Sequence, residues 1–73
     1  MTKVKDHTQS KLAENIKKHR AKLGISQDKL SKLADVTYNT IIKLESGANE
    51  NPTITTLLKI ALALNTGVDE LIK

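Results

Sequence analysis

Apolar residues recur at helical spacing in the middle of the chain. The first run contains Leu30, Leu33 and Ala34, and the second contains Ile41 and Leu44. In each run the spacing places the apolar side chains on one face of a helix. The pattern therefore predicts two short amphipathic helices joined by a tight turn, an arrangement that can present the second helix to the major groove of DNA.

Residues that begin and end helices divide the rest of the chain. Ser26, Thr37 and Thr53 are typical N-cap residues, and Gly24 and Gly47 are typical of helix C-terminal ends. No alternation of apolar and polar residues indicates a strand. The prediction is an all-α, compact five-helix bundle with helices at about 9–23, 27–34, 37–46, 54–64 and 68–72.

The first residues and helix 4 depart from this amphipathic pattern. Residues 1–8 are polar and basic without periodicity and predict a flexible N-terminal arm, so residues 9–73 form the single domain.

In helix 1, Leu12, Ile16 and Leu23 share an inward face. Helix 4 is apolar on nearly every side and is predicted to be the central, most buried helix. Its apolar residues are Leu57, Leu58, Ile60, Ala61, Leu62 and Leu64.

Positive charge is concentrated in the first part of the chain. The net charge is +4, but residues 1–43 contain ten Lys or Arg against four Asp or Glu, and residues 44–73 contain two against four. This distribution suits a protein that docks one face on a polyanion, although lysines that only solvate helix 1 would give the same count. No helix combines a basic face with large apolar anchors, which disfavours a membrane surface as the partner.

Several functional classes find no support in the composition. The chain has no cysteine, and His7 and His19 lie apart without clustered carboxylates, so no disulfide, metal site or cofactor is expected. No spacing places a general base beside a nucleophile, which argues against an enzyme. The lack of an apolar segment typical of a membrane span or signal peptide predicts a cytoplasmic protein.

Helix 3 carries the polar side chains that a reader of DNA bases needs. With Ile41 and Leu44 inward, the helical period turns Tyr38, Asn39, Ile42 and Lys43 towards solvent or the groove. The Asn39 amide can pair with adenine, and Lys43 can donate to guanine or to a phosphate. Tyr38 can pack on a thymine methyl group or hydrogen-bond a phosphate. Ile42 can contact a thymine methyl group, although it can instead rotate into the core.

Other polar residues are predicted to contact the DNA backbone. Gln27 lies in the first turn of helix 2, where free N–H groups favour a phosphate; its amide can donate to that phosphate, brace helix 3 or simply be solvated. Thr37 and Thr40 can touch phosphates, but capping and packing explain them as well. The predicted backbone set is Gln27, Thr37, Thr40, Ser46, Asn49 and Lys18.

Arg20 is a charged residue within the apolar stripe of helix 1. It follows Ile16 by four positions and precedes Leu23 by three. A charge that faces a core must find a partner, and Glu45, next to Leu44 on helix 3, is the obvious one. Arg20 and Glu45 are therefore predicted to form a structural ion pair.

Taken together, these stretches resemble the helix-turn-helix domain of the lambdoid phage repressors and Cro proteins, the Xre family. The resemblance covers residues 15–73 through R-A-K-L-G-I-S-Q-D-K-L, V-T-Y-N-T-I-I-K-L-E-S-G, P-T-I-T-T-L-L-K-I-A-L-A-L-N and V-D-E-L-I. It implies a sequence-specific transcriptional regulator, most simply a repressor, that binds a near-palindromic double-stranded operator as a homodimer. It also implies the Arg20–Glu45 pair and a DNA-backbone contact for Gln27.

Two features depart from the family pattern. Asp35 occupies the turn position that is usually glycine, and aspartate tolerates the left-handed conformation better than most residues. The loop A-N-E-N at 48–51 lacks the lysine or arginine that related repressors often carry. Phosphate contacts would then come from lysines on helices 1 and 2 or on the arm.

The C-terminal helix and the function both keep a second interpretation. Val68, Leu71 and Ile72 are predicted to form the dimer surface, although they can equally close the core over helix 4. Because one fold serves many functions, the alternative to a regulator is an antitoxin or adaptor module whose partner is another protein, such as a toxin.

Overall fold

The chain folds into five helices connected by short turns and one longer loop. The computed structural model describes the backbone of residues 2–49 and 51–73 and the side chains of residues 11–49 and 51–73. The helices are α1 (Thr2–Leu23), α2 (Gln27–Ala34), α3 (Tyr38–Ser46), α4 (Ile54–Ala63) and α5 (Val68–Ile72). These ranges contain no strand, and the predicted all-α, five-helix class is confirmed.

Hydroxyl side chains cap the first turns of α2, α3 and α4. Ser26, Thr37 and Thr53 each accept a hydrogen bond through the side-chain oxygen from the backbone N–H three residues later, at 3.0 to 3.1 Å. Each cap satisfies one of the backbone donors that a helix leaves free at its N-terminus. The predicted starts of these three helices are therefore confirmed together with their physical cause.

The turns that follow the first three helices use the left-handed backbone conformation. Gly24 and Gly47 have φ values of +67° and +84°, a region that glycine enters without steric penalty. Asp35 ends α2 with φ 58° and ψ 46°, and its backbone N–H bonds to the last turn of that helix. Aspartate thus fills the left-handed turn position between α2 and α3, as predicted.

The core lies where α1, α2 and α3 meet the inner sides of α4 and α5. Helix α2 packs against α3 and α4, and α1 packs against α3 and α5. Every helix contributes at least one fully buried aliphatic side chain, so burial of apolar surface holds the five helices together. The largest of these side chains are Ile16, Leu30, Ile41, Leu44, Ile60 and Leu71.

Helix α1 is longer than the apolar periodicity predicts. It begins at Thr2 instead of Gln9, so the backbone of most of the predicted arm continues the helix. Met1 lies outside the described residues, as do the side chains up to position 10. The predicted mobility of residues 1–8 therefore stays a prediction.

Four leucines that the pattern places inside are exposed. Leu23 is 47% exposed, Leu33 53%, Leu58 50% and Leu62 78%. The prediction that α4 is the most buried helix is wrong, because among the described residues α4 packs mainly against α2 and α5, and Leu58 and Leu62 stay exposed. A domain of this size has too few helices to surround one of them.

Helix α5 divides its apolar residues between the core and the surface. Leu71 is fully buried and Val68 packs against the core, whereas Ile72 is 58% exposed. The prediction that Leu71 forms a dimer surface is therefore wrong, and the alternative that it closes the core is correct. Asn15 on α1 donates a side-chain hydrogen bond to the Leu71 carbonyl at 2.9 Å, which fixes the end of α5.

Candidate nucleic-acid interface

Helix α3 turns one polar face towards solvent. Ile41 and Leu44 are buried, which fixes the rotation of the helix. Tyr38 is 49% exposed, and Asn39 and Lys43 are also exposed. The three side chains nearest to a bound base in the prediction thus share an open surface, on the side of α3 that does not pack against the core.

Ile42 lies at the edge of this surface. It is half-buried and does not belong to the buried cluster or to the partly buried residues that pack against it. Its partial exposure leaves apolar surface beside Asn39 and Lys43. The alternative in which Ile42 joins the core is not what the structure shows.

The hydroxyl groups of α3 already have partners within the protein. Thr37 Oγ1 lies 2.8 Å from Thr40 Oγ1 and accepts from the Thr40 backbone N–H. Ser46 Oγ donates to the Lys43 carbonyl at 3.1 Å and accepts from the Ala48 N–H at 3.3 Å. Capping and local bonding account for these residues, so a DNA contact would be an additional role for each.

A buried carboxylate connects α3 to α1 and to the start of α2. Glu45 is 5% exposed and accepts from Arg20 through Nε at 2.8 Å and through Nη2 at 3.0 Å. Gln27 Nε2 donates to the same carboxylate at 2.9 Å, and Arg20 Nη1 donates to the Ile25 carbonyl at 2.9 Å. We call Arg20, Gln27 and Glu45 the carboxylate network.

The carboxylate network has no unpaired buried polar atom among the side chains that the structure describes. The hydrogen bond to Glu45 raises the pKa of Arg20, burial lowers it, and the charge of Glu45 adds to the increase. The guanidinium therefore stays charged, and its bidentate geometry fixes the direction as well as the strength of the contact. The network holds the inner side of α3, and the outer side of this helix is exposed to solvent.

Gln27 has a structural role before any contact with DNA. One of its amide hydrogens is committed to Glu45, which corresponds to the bracing role that was one of its predicted interpretations. The second amide hydrogen lies in the first turn of α2, where the helix dipole favours an anion. A phosphate contact by Gln27 stays a prediction.

Exposed lysines lie on α1, α2 and α3. Lys18, Lys29 and Lys43 are exposed and form no ion pair with any described side chain. Lys32, in contrast, pairs with Asp28 at 3.0 Å. Three solvated ammonium groups on α1, α2 and α3 give the domain the positive surface that a phosphate backbone attracts.

The loop after α3 contains one further candidate contact. Asn49 is half-buried, and its Oδ1 accepts from the Asn51 N–H at 3.1 Å. This bond fixes the side-chain amide so that its NH₂ group remains as a donor. Glu50 lies outside the described residues.

Two other kinds of site have no counterpart among the described residues. Among the described side chains, no group of three His, Cys, Asp or Glu residues is placed to hold a metal ion. No helix within the described ranges has the length and apolar character needed to cross a membrane.

Sequence reasoning missed two of the contacts that position the interface. The bond from Arg20 to the Ile25 carbonyl and that from Asn15 to the Leu71 carbonyl have backbone acceptors. A backbone carbonyl is present at every position, so no residue type in the sequence marks it as a partner. For Arg20, its place within the apolar stripe of helix 1 was the available signal in the sequence.

Comparison with known proteins finds one family. A family model described as helix-turn-helix matches residues 16–71, more than half of the chain. The match covers the end of α1, all of α2, α3 and α4, and most of α5. No curated protein and no solved structure matches the chain.

Proposed function

Because the chain belongs to the helix-turn-helix family of DNA-binding regulators, we propose that it is a sequence-specific repressor that inserts α3 into the major groove of an operator. The observation that carries the proposal is the polarity of α3. Its inner side is held by the buried core and the carboxylate network, and its outer side presents Tyr38, Asn39 and Lys43 to solvent. A rigid helix with a free polar face is what direct base recognition requires.

The proposed base contacts follow from the chemistry of each side chain. Asn39 pairs in a bidentate manner with adenine N6 and N7, and Lys43 donates to guanine O6 or N7. Ile42 and the Tyr38 ring pack on thymine methyl groups. Each well-formed bidentate contact contributes about 1–3 kcal/mol of discrimination between bases.

The proposed backbone contacts surround this centre. They position the domain without reading sequence, and their donors are amide, hydroxyl, ammonium and helix N-terminal groups. The set consists of Gln27, Thr37, Thr40, Ser46, Asn49 and Lys18.

The proposed active unit is a homodimer on a near-palindromic site. Two recognition helices would then enter successive major grooves about 34 Å apart. A dimer that covers a promoter blocks polymerase, which is how repression would follow from binding alone.

Selection of bound sites from random DNA duplexes tests the proposal directly. We expect an inverted repeat to be recovered, and we expect Asn39→Ala and Lys43→Ala to lose discrimination while their melting temperatures stay unchanged. Lys73→Ala is the control, because it removes the same charge from an exposed residue at the end of α5, outside the proposed DNA contacts. Recovery of no preferred sequence, with equal binding by all variants, would contradict the proposal.

The alternative is a protein-interaction module, an antitoxin or adaptor with a partner such as a toxin. The exposed aliphatic side chains of α4 favour a protein contact somewhere on the domain. The salt response separates the two functions, because a DNA reader loses affinity steeply as salt increases. An interaction module would bind DNA weakly and without sequence preference.

A further inference from the structure

Three large aliphatic side chains form a row on the outer side of α4. Ile54 is 62% exposed, Leu58 50% and Leu62 78%. They are four residues apart, and side chains at that spacing are neighbours on a helix surface. Single exposed leucines are common on proteins, but a continuous row is not. We call Ile54, Leu58 and Leu62 the α4 row.

The α4 row lies beside the core-facing side of the same helix. Leu57, Ile60 and Ala61 are the buried residues of α4. The three row residues belong neither to the buried core cluster nor to the partly buried hydrophobic residues that pack against it. Its nearest charged residue on α4 is Lys59, whose ammonium donates to the Asp35 carbonyl at 3.4 Å. The exposed surface of the row is apolar and uncharged.

We infer that the α4 row is where two copies of the chain associate, with their α4 helices antiparallel and the symmetry axis beside Leu58. The inference rests on the dimer in the proposed function and names its surface. A two-fold axis at the centre of the row places Leu58 against its own copy and Ile54 against Leu62 of the other copy. Every member of the row then meets an aliphatic partner.

The spacing of the row favours a second copy over an unrelated partner. Ile54 and Leu62 lie equally far from Leu58, so the row is self-complementary under a two-fold rotation, as an isologous interface must be. The row itself contains no charged residue, so no like charges of the row meet across the symmetry axis. Depletion of charged residues is also typical of the centre of a protein interface.

The size of the row fits the centre of a reversible dimer interface. Three aliphatic side chains that are each at least half exposed present on the order of 300 Å² of apolar surface, a patch size that is often functional on a monomer. A standard interface buries about 800 Å² on each partner. The row would supply the apolar centre, and polar neighbours such as Thr55 and Lys59 would supply the rim.

The α4 row and the proposed DNA surface can be used at the same time. Helix α4 packs mainly against α2 and α5, whereas α3 packs mainly against α1 and α2. Occupation of the row by a second copy therefore leaves the outer face of α3 free.

Cysteine cross-linking tests where the symmetry axis lies. The chain has no cysteine, so Leu58→Cys introduces the only thiol. A residue beside a two-fold axis meets its own copy within disulfide reach, and we expect Leu58→Cys to form a disulfide-linked dimer under mild oxidation. Leu33→Cys on α2 is the matched control, because Leu33 is 53% exposed and lies outside the row. Equal cross-linking of both variants would overturn the inference.

A charge exchange tests the antiparallel pairing. We expect Ile54→Lys and Leu62→Glu each to raise the dimer dissociation constant at least about tenfold, because each places a charge in an apolar contact. The double variant should recover most of the affinity, since position 54 of one copy meets position 62 of the other. Sedimentation equilibrium gives the dissociation constants. Unchanged dimerisation in the single variants, or no recovery in the double variant, would overturn the inference.

Binding to a duplex with one half-site separates this inference from the proposed function. Leu62→Glu should bind a single half-site as tightly as the unchanged protein, and should lose only the additional affinity for two half-sites. A protein that dimerises regardless of Leu62 but still requires Asn39 for DNA binding would overturn the inference and leave the proposed function intact. Loss of sequence-specific binding in the unchanged protein would contradict the proposed function itself.

Discussion

Replacing Glu45 by alanine tests whether one carboxylate holds the recognition helix in place. The side chain of Glu45 is 3% exposed and that of Arg20 is 21% exposed. Glu45→Ala removes the acceptor of three hydrogen bonds, two from Arg20 and one from Gln27. Arg20 would keep only its bond to the Ile25 carbonyl. The variant thus leaves a charged group and an amide partly buried without their partner.

The expected loss is a large share of the total stability. Removing one partner of a buried ion pair costs about 3–5 kcal/mol, and the partial exposure of Arg20 places this case near the lower limit, at about 3 kcal/mol. A domain of 73 residues has about 4–11 kcal/mol in total at the usual stability per residue. Since 1 kcal/mol shifts the melting temperature of such a domain by about 4–8 °C, we expect Glu45→Ala to melt at least about 12 °C lower.

Arg20 also determines how this contribution depends on pH. Its pKa is raised by the hydrogen bond to Glu45, so the guanidinium contributes fully below the pKa of the unfolded arginine. Its contribution falls only as the pH rises through the still higher pKa of the folded state. We therefore expect no loss from Arg20 deprotonation between neutral and moderately alkaline pH.

Thermal denaturation followed by circular dichroism measures the effect, with two further variants as comparisons. Glu45→Gln keeps the shape and loses the charge, so its melting temperature should fall between those of the unchanged protein and Glu45→Ala. The double variant Arg20→Met with Glu45→Leu should recover most of the stability, because apolar residues of similar volume often replace a buried pair without loss. A decrease of less than about 4 °C for Glu45→Ala would refute the reasoning, since it would mean that solvent replaces the carboxylate.

Three further predictions concern the helix ends and the charge of the interface. Asp35→Gly should keep or slightly raise the melting temperature. Glycine relieves the left-handed strain at φ 58°, and the variant loses only an exposed ion pair with Lys59. A marked decrease in melting temperature would show that the turn depends on the Asp35 side chain. Thr53→Ala should lower the free energy of unfolding, measured by chemical denaturation, by about 1 kcal/mol, because it removes the cap of α4. Thr55→Ala is the control, because Thr55 lies in the same helix and is not its cap. Lys43→Ala should alter the base preference more than the slope of log K against log salt, because Lys43 is proposed to contact guanine; a slope reduced by about one unit with an unchanged base preference would show a phosphate contact instead.

Local chemistry explains which features of this fold were predictable from the sequence. Ser26 and Thr37 bond to backbone N–H groups three residues away, and Gly47 adopts the positive φ that ends α3. Each of these features therefore depends on residues within a short segment of the sequence. The outward face of α3 was equally predictable, because Ile41 and Leu44 set its rotation within one helical turn. The partner of Arg20 was found over a longer separation because a buried charge limits the acceptable residue types.

The exposed side of α4 was not predictable in the same way. Apolar residues cover most of its circumference, so the helical period cannot indicate which of them the monomer buries. That choice depends on where α2 and α5 lie, a property of the tertiary arrangement. Leu71 shows the same limitation. It was predicted to lie on a dimer surface, but packing against residues far away in sequence buries it.

This failure of the apolar pattern is informative about function. The core accounts for Leu57, Ile60 and Ala61 on α4, but it leaves Ile54, Leu58 and Leu62 in solvent. Exposed aliphatic surface promotes non-specific association, and the chain does not reduce that risk by placing charges within the row. A second copy bound as inferred above would remove this surface from solvent. Such an α4 dimer would also supply the two recognition helices that a palindromic operator requires.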